Sequence, residues 1–180
     1  MSFSRIYKAE GIVLKRRNVG ETDRIITVFT KEYGKLRLIA KGIRRITSRR
    51  GPHLEVFSFV RLMIAKGKTM DSISDANAIE RFEAIRKDLS RVSAGYYLCE
   101  LVNALVPEKQ EHSDVFSLLL RALRALEENK RAVVVAAFPG VLLEYLGYVT
   151  KAKRQEVTDE RIEEIIERRL KTPRFLTQLG

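Results

Sequence analysis

Between Lys41 and Arg50 the chain reads Lys-Gly-Ile-Arg-Arg-Ile-Thr-Ser-Arg-Arg, five cations in ten residues with no acid among them. Guanidinium and ammonium groups at that density repel one another in the free protein. They are neutralised when the phosphates of a polyanion lie against them and counterions are released. Lys15, Arg16 and Arg17 form a second group and Lys66 and Lys68 a third. A carboxylate pair, Glu21 and Asp23, could hold a divalent cation and cut nucleic acid. No third acid, histidine or lysine constellation completes that site, and a turn with a local pair from Arg24 to Asp23 or Glu21 is the simpler reading. The chain has no phosphate-cradling glycine loop, no nucleophile elbow and no metal-ligand spacing. Its single cysteine, Cys99, lies in an apolar helical stretch and reads as a buried, inert thiol, and its two histidines, His53 and His112, are far apart. No catalytic residue, metal ligand or cofactor is assigned.

The elements that must position these cations follow from hydrophobic periodicity. Strands are predicted over Tyr7–Arg16, Thr22–Thr30, Lys35–Lys41 and Leu54–Ala65, with a weaker one over Thr69–Ile79. In the third strand Leu36, Leu38 and Ala40 share the core face, so Lys35, Arg37 and Lys41 are expected to point outward. In the fourth, Phe57, Phe59, Arg61 and Met63 share a face. That face could stack bases, but burial of Phe57, Phe59 and Met63 beneath helices is the preferred reading. Five short strands suggest a small barrel, either an OB-fold or an SH3-like barrel, which periodicity cannot separate.

From about residue 80 the period becomes helical. Phe82, Ile85, Leu89 and Val92 open one face, which continues through Tyr96, Leu98, Leu101 and Leu105 until Pro107. Ser113-Asp114 caps the next helix. Val133 to Leu146 is a third segment, in which Pro139-Gly140 should break or kink any helix. Lys151–Gln155 is a polar linker, and Thr158 caps a last helix reaching Arg168, Arg169 and Lys171. The expected organisation is α+β: a barrel domain over residues 1–80 and a helical domain over 81–180.

Net charge is +11 and unevenly shared: residues 1–80 hold 17 Lys/Arg against 8 Asp/Glu, and residues 81–180 hold 17 against 15. The excess in the first half points to an anionic partner, nucleic acid before an acidic protein or a membrane surface. No apolar run approaches the roughly 18–20 residues that span a bilayer. Met1 to Lys8 lacks the apolar stretch of a signal peptide. The expected location is the cytoplasm, with nucleoid association, and no membrane partner.

Gly11-Ile-Val-Leu14, Gly20-Glu-Thr-Asp-Arg-Ile-Ile-Thr-Val-Phe-Thr30, Tyr33-Gly-Lys35 and Ala40-Lys-Gly-Ile-Arg-Arg45 with Ser48-Arg49 together resemble, in order and spacing, the N-terminal domain of the bacterial RecO recombination-mediator proteins. Leu146-Gly-Tyr148 is similar in layout to their helical half. The resemblance implies an OB-fold followed by a helical domain. It implies binding and annealing of single-stranded DNA, contact with single-stranded DNA-binding protein, and loading of RecA together with RecR. It assigns DNA contact to Lys35, Arg37, Lys41, Arg44, Arg45 and Arg49, to which the residue reading adds Arg50, Lys15, Arg16, Arg17, Lys66 and Lys68. Many relatives carry a four-cysteine zinc element after the Leu-Gly-Tyr. Residues 149–180 contain no cysteine, which excludes that site on ligand count.

The leading expectation is a non-enzymatic mediator of DNA repair and recombination. The alternative is an interaction adaptor whose basic barrel takes an acidic peptide tail. The loop glycines Gly42 and Gly51, with Thr47 and Ser48, predict a basic loop that orders only on its partner.

Overall fold

Alternating apolar residues build the first unit. A computed structural model describes residues 5–172, so residues 1–4 of the leader reading and residues 173–180 of the expected helical domain lie outside the described residues. The strands are β1 (Ile6–Val19), β2 (Asp23–Thr30), β3 (Gly34–Ala40), β4 (Phe59–Ala65) and β5 (Ser72–Glu80). They close in the order β1-β2-β3-β5-β4, with β3 and β5 parallel through Ile39 and Ser72 and every other pair antiparallel. This is the OB-fold order, which decides against the SH3-like alternative. The interior is filled by residues at alternate strand positions, such as Val13 on β1, Ile26 on β2, Leu38 on β3, Val60, Leu62 and Ile64 on β4 and Ile73 on β5.

β4 starts later than expected, at Phe59 instead of Leu54. A 3-10 turn over Gly51–His53 is followed by Leu54, whose side chain enters the barrel core. Phe57 has φ 55, and its N–H donates to the Val13 carbonyl at 2.7 Å. Phe57 and Phe59 are both buried, at 2% and 7% exposure, so neither offers a stacking platform to solvent.

The barrel unit ends at Arg81 but also takes in Glu108–His112. This connection runs beside β3: the Lys109 N–H donates to the Lys35 carbonyl at 2.9 Å. Gly34, at φ +68, lies so close to Gln110 that a Cβ there would sit 2.0 Å from its carbonyl oxygen. Only glycine meets both conditions.

The second unit holds α1 (Glu83–Arg86), α2 (Leu89–Leu105), α3 (Ser113–Glu127), α4 (Arg131–Tyr145) and α5 (Asp159–Ile166). The helix expected from Phe82 is split. The Asp88 side chain accepts from the Ser90 and Arg91 N–H groups and starts a new helix, leaving Leu89 82% exposed on its first turn. The Glu127 carboxylate accepts from the Ala84 and Ile85 N–H groups, both at 2.9 Å, and so satisfies the start of α1.

Pro139 and Gly140 do not break α4, which runs through both. Proline removes one N–H donor, but Pro139 and Gly140 are both buried among packed neighbours. A Cβ on Gly140 would sit 2.2 Å from the Arg154 carbonyl oxygen, so the glycine admits the 3-10 segment Lys151–Glu156, and Arg154 pairs with Glu144. The stretch expected as a linker is therefore packed onto α4. Thr158 caps α5 as expected, through the Arg161 N–H at 3.3 Å. α5 ends at Ile166, short of Arg168 to Lys171, because Glu167 turns the chain at φ 55. The Glu100 carboxylate then takes the Lys171 and Thr172 N–H groups at 2.8 Å each. Cys99 is buried, and burial pushes its thiol up to about 12, in keeping with an inert side chain.

Candidate nucleic-acid interface

A β-bulge decides where the first cations go. Register shifts between Val13 and Lys15, so Leu14 is the extra residue. Without it, Lys15 would fall on the inner face with Val13. With it, Lys15 stands opposite Thr27, which stands opposite Arg37, and Arg17 stands opposite Ile25, which stands opposite Ile39. Cross-strand neighbours share a face at Cβ spacings of about 5 Å. Lys15, Arg17 and Arg37 therefore belong to one outer surface across β1, β2 and β3, and all three are exposed. Arg37 lies 3.9 Å from Glu108 in a half-exposed pair.

The same register carries Arg16 to the inner parity. It pairs with Glu55 at 2.5 Å and is only partly exposed. Arg24, expected to pair with a neighbouring acid, instead donates to the Asn18 side chain at 2.9 Å. Burial first, and the Arg16 guanidinium next, lower its pKa, with Glu55 opposing.

The ten-residue loop is anchored. Asp23 Oδ1 accepts the Gly42 N–H at 2.7 Å and the Thr22 hydroxyl at 3.0 Å. Those hydrogen bonds hold the Asp23 carboxyl below the usual carboxylate range. The Arg44 N–H donates to the Thr22 carbonyl at 2.9 Å, and Arg44 Nη1 to the Gly20 carbonyl at 3.3 Å. Ile43 is buried in the barrel core. Two consecutive β-turns follow, with the Arg45 N–H on the Gly42 carbonyl at 3.1 Å and the Ser48 N–H on the Arg45 carbonyl at 2.9 Å. The Arg50 guanidinium clamps the far end, donating to the carbonyls of Lys41 and Ile73. The loop expected to order only on its partner is thus held by its own hydrogen bonds. The Gly20–Arg24 run, weighed above as a catalytic cluster, is its foundation.

Lys41, Arg44, Arg45 and Arg49 are exposed, and among the described residues none of them forms a salt bridge. Lys41, Arg45, Ser48 and Arg49 line a shallow depression of about 370 Å³. Ser48 Oγ is buried there with no hydrogen-bond partner.

Three sequence expectations change. Lys35 does not point into solvent: it is 8% exposed, beside the 108–112 segment. Burial lowers its pKa and Glu108 opposes the shift. Arg50 is spent on backbone carbonyls and Arg16 on Glu55, so both act on the scaffold. Lys66 and Lys68 are exposed on the β4–β5 connection, where Lys66 Nζ stands 5.9 Å from the Tyr7 ring centroid. Tyr7 meets Tyr33 edge-on at 5.0 Å and donates to Asp71 at 2.7 Å.

The strand order and the open cations on β1, β3 and the following loop define an OB-fold protein with a cationic outer surface. Residues 1–82 match the family described as recombination protein O N terminal, and residues 86–172 match recombination protein O C terminal. The chain belongs to the RecO family. It is 39% identical over 145 residues to the DNA repair protein RecO of Roseiflexus sp. (strain RS-1), covering 80% of this chain and 51% of that protein. It is 33% identical over 150 residues to that of Pelotomaculum thermopropionicum, covering 83% and 59%. It is 36% identical over 145 residues to that of Symbiobacterium thermophilum, covering 79% and 57%. The chain thus spans about half the length of these relatives. Among the described residues no helix is long and apolar enough to cross a membrane.

Proposed function

We propose that the chain is a non-enzymatic mediator of DNA repair and recombination that binds single-stranded DNA. Arg37, Lys41, Arg44, Arg45 and Arg49, with Lys15 and Arg17, hold the phosphates. Screening the repulsion of two such strands lets complementary ones anneal, and a strand so held is seated for RecA in concert with RecR and single-stranded DNA-binding protein. Lys35, Arg16 and Arg50 leave the contact set because of their burial or their internal bonds. The observation that carries the reading is the anchored loop, itself free of acids, whose exposed cations form no salt bridge among the described residues and so are available to an external polyanion. The names of the similar proteins, all DNA repair proteins, support the same direction.

Phosphate contacts give affinity that falls with salt. Wild-type binding to a single strand is expected to fall steeply on a log–log plot against salt. Removing Arg44, Arg45 and Arg49 together lowers the slope by about two, at roughly 0.7 per lost contact on single strands. A flat slope in the wild type sinks the proposal. Tight binding of an acidic peptide with no binding of DNA selects the adaptor instead.

A further inference from the structure

Ile46 is the most exposed large apolar side chain among the described residues, at 105% exposure, and Ile43, three residues earlier, is 3% exposed. Isolated exposed apolar residues are ordinary, and Leu89 on the first turn of α2 is one such residue. Ile46 differs in two respects. It occupies the first corner of the β-turn closed by Ser48 N–H and the Arg45 carbonyl at 2.9 Å. Proline is the residue favoured at that corner, and an isoleucine there buries none of its apolar surface against its own turn. Its immediate setting is Arg44 and Arg45 on one side and Arg49 on the other, all exposed, on a backbone fixed by Asp23 and Arg50.

Apolar side chains such as isoleucine, carried on a basic frame, are suited to wedge between bases and part their stack. We propose that Ile46 is such a wedge: while the flanking arginines hold successive phosphates of a single strand, its side chain enters between two neighbouring bases. The proposal rests on the single-strand reading above and adds a contact to the bases that the cations cannot make. Opening the stack at one step keeps the held strand irregular and its base edges available for pairing.

The test uses the full chain and a single strand of deoxyadenosines carrying 2-aminopurine, whose emission rises when it unstacks. Wild type is expected to raise the emission on binding. Ile46→Ser is expected to bind about tenfold more weakly, the loss of one buried aliphatic contact, with an unchanged salt slope and no rise in emission. Ile46→Phe is expected to restore both. The side chain makes no packing contact to lose, so equal thermal stability of the variants checks that folding is intact. If Ile46→Ser binds with wild-type affinity and raises the emission, the wedge is overturned while DNA binding stands. If wild type itself fails to bind DNA, the single-strand reading falls and the wedge with it. Vesicles of phosphatidylserine and phosphatidylcholine provide the last arm. Vesicle binding lost in Ile46→Ser, with DNA binding unchanged, makes the turn a lipid contact and also overturns the proposal.

Discussion

Residues 1–80 and residues 81–180 hold 17 Lys/Arg each, and the barrel and helical units use them differently. In the helical unit Arg154, Arg161, Arg168 and Arg169 each reach a glutamate, and Lys130 reaches Glu128. In the barrel unit Arg16, Arg37 and Arg61 form salt bridges, whereas Lys41, Arg44, Arg45 and Arg49 form none among the described residues. Charge that is balanced within a unit supports its own surface. Charge held in place by backbone hydrogen bonds and not drawn into a salt bridge is suited to something outside. Net charge alone does not reveal this difference; it needs the location of each carboxylate.

The largest expected effect separates the two units directly. Arg44→Ala, Arg45→Ala and Arg49→Ala combined should weaken single-strand binding on the order of 100-fold at moderate salt. Removing three exposed cations of the helical unit, Arg121, Lys151 and Lys153, should leave it unchanged. Equal losses from both triples, measured by fluorescence anisotropy, would erase the contrast.

Backbone crowding gives the next effect. Gly34→Ala sets a Cβ 2.0 Å from Gln110 at positive φ, and Gly140→Ala sets one 2.2 Å from Arg154. Losses of roughly 3 kcal/mol and 2 kcal/mol are expected in denaturant unfolding. Hydrogen exchange should place the first loss in the barrel strands and the second in α4 and the 151–156 segment. Uniform loss of protection from either substitution would show a single cooperative body.

A smaller effect compares two carboxylates with the same job. Asp23 holds the loop and Asp88 caps α2, and hydrogen bonds to the ionised form lower both below 3.8. A carboxyl lowered on folding stabilises above its unfolded value, and that contribution disappears as pH falls through the folded one. Protection of the Gly42 amide and of the Ser90 and Arg91 amides should therefore be full above about pH 4 and fade only as pH falls on through each carboxyl's lowered folded value. Asp23→Ala and Asp88→Ala should each abolish their own signal only.

The smallest expected effect is the sharpest against the sequence reading. Lys35→Met should leave the affinity and salt slope for DNA unchanged, because the buried ammonium meets no phosphate. A slope reduced by about one would return Lys35 to the interface.

Much of this was legible beforehand. Alternation placed Leu36, Leu38 and Ala40 in the core, and the acid-free run marked the loop. Lys35 was misplaced because its cover comes from residues 108–112, more than seventy positions away, and strand parity carries no information about what lies over a face. Lys15, Arg16 and Arg17 were grouped as one cluster, but the inserted residue Leu14 puts Lys15 and Arg17 on the outer face and turns Arg16 toward Glu55. Asp88 and Pro139 show two further limits. A capping side chain outweighed a continuous apolar stripe, and tertiary packing outweighed a helix breaker.

The return of Glu108–His112 to the barrel also bears on dissection of the protein. A fragment severed at Arg81 would keep all five strands yet lose the passage of chain that shields Lys35 and seats against Gly34. It would present a newly bared ammonium and unpaired β3 backbone to any probe, and would overstate the barrel's appetite for anions. A faithful minimal barrel would splice residues 108–112 back beside β3, because the boundary between the two units is crossed three times by one chain.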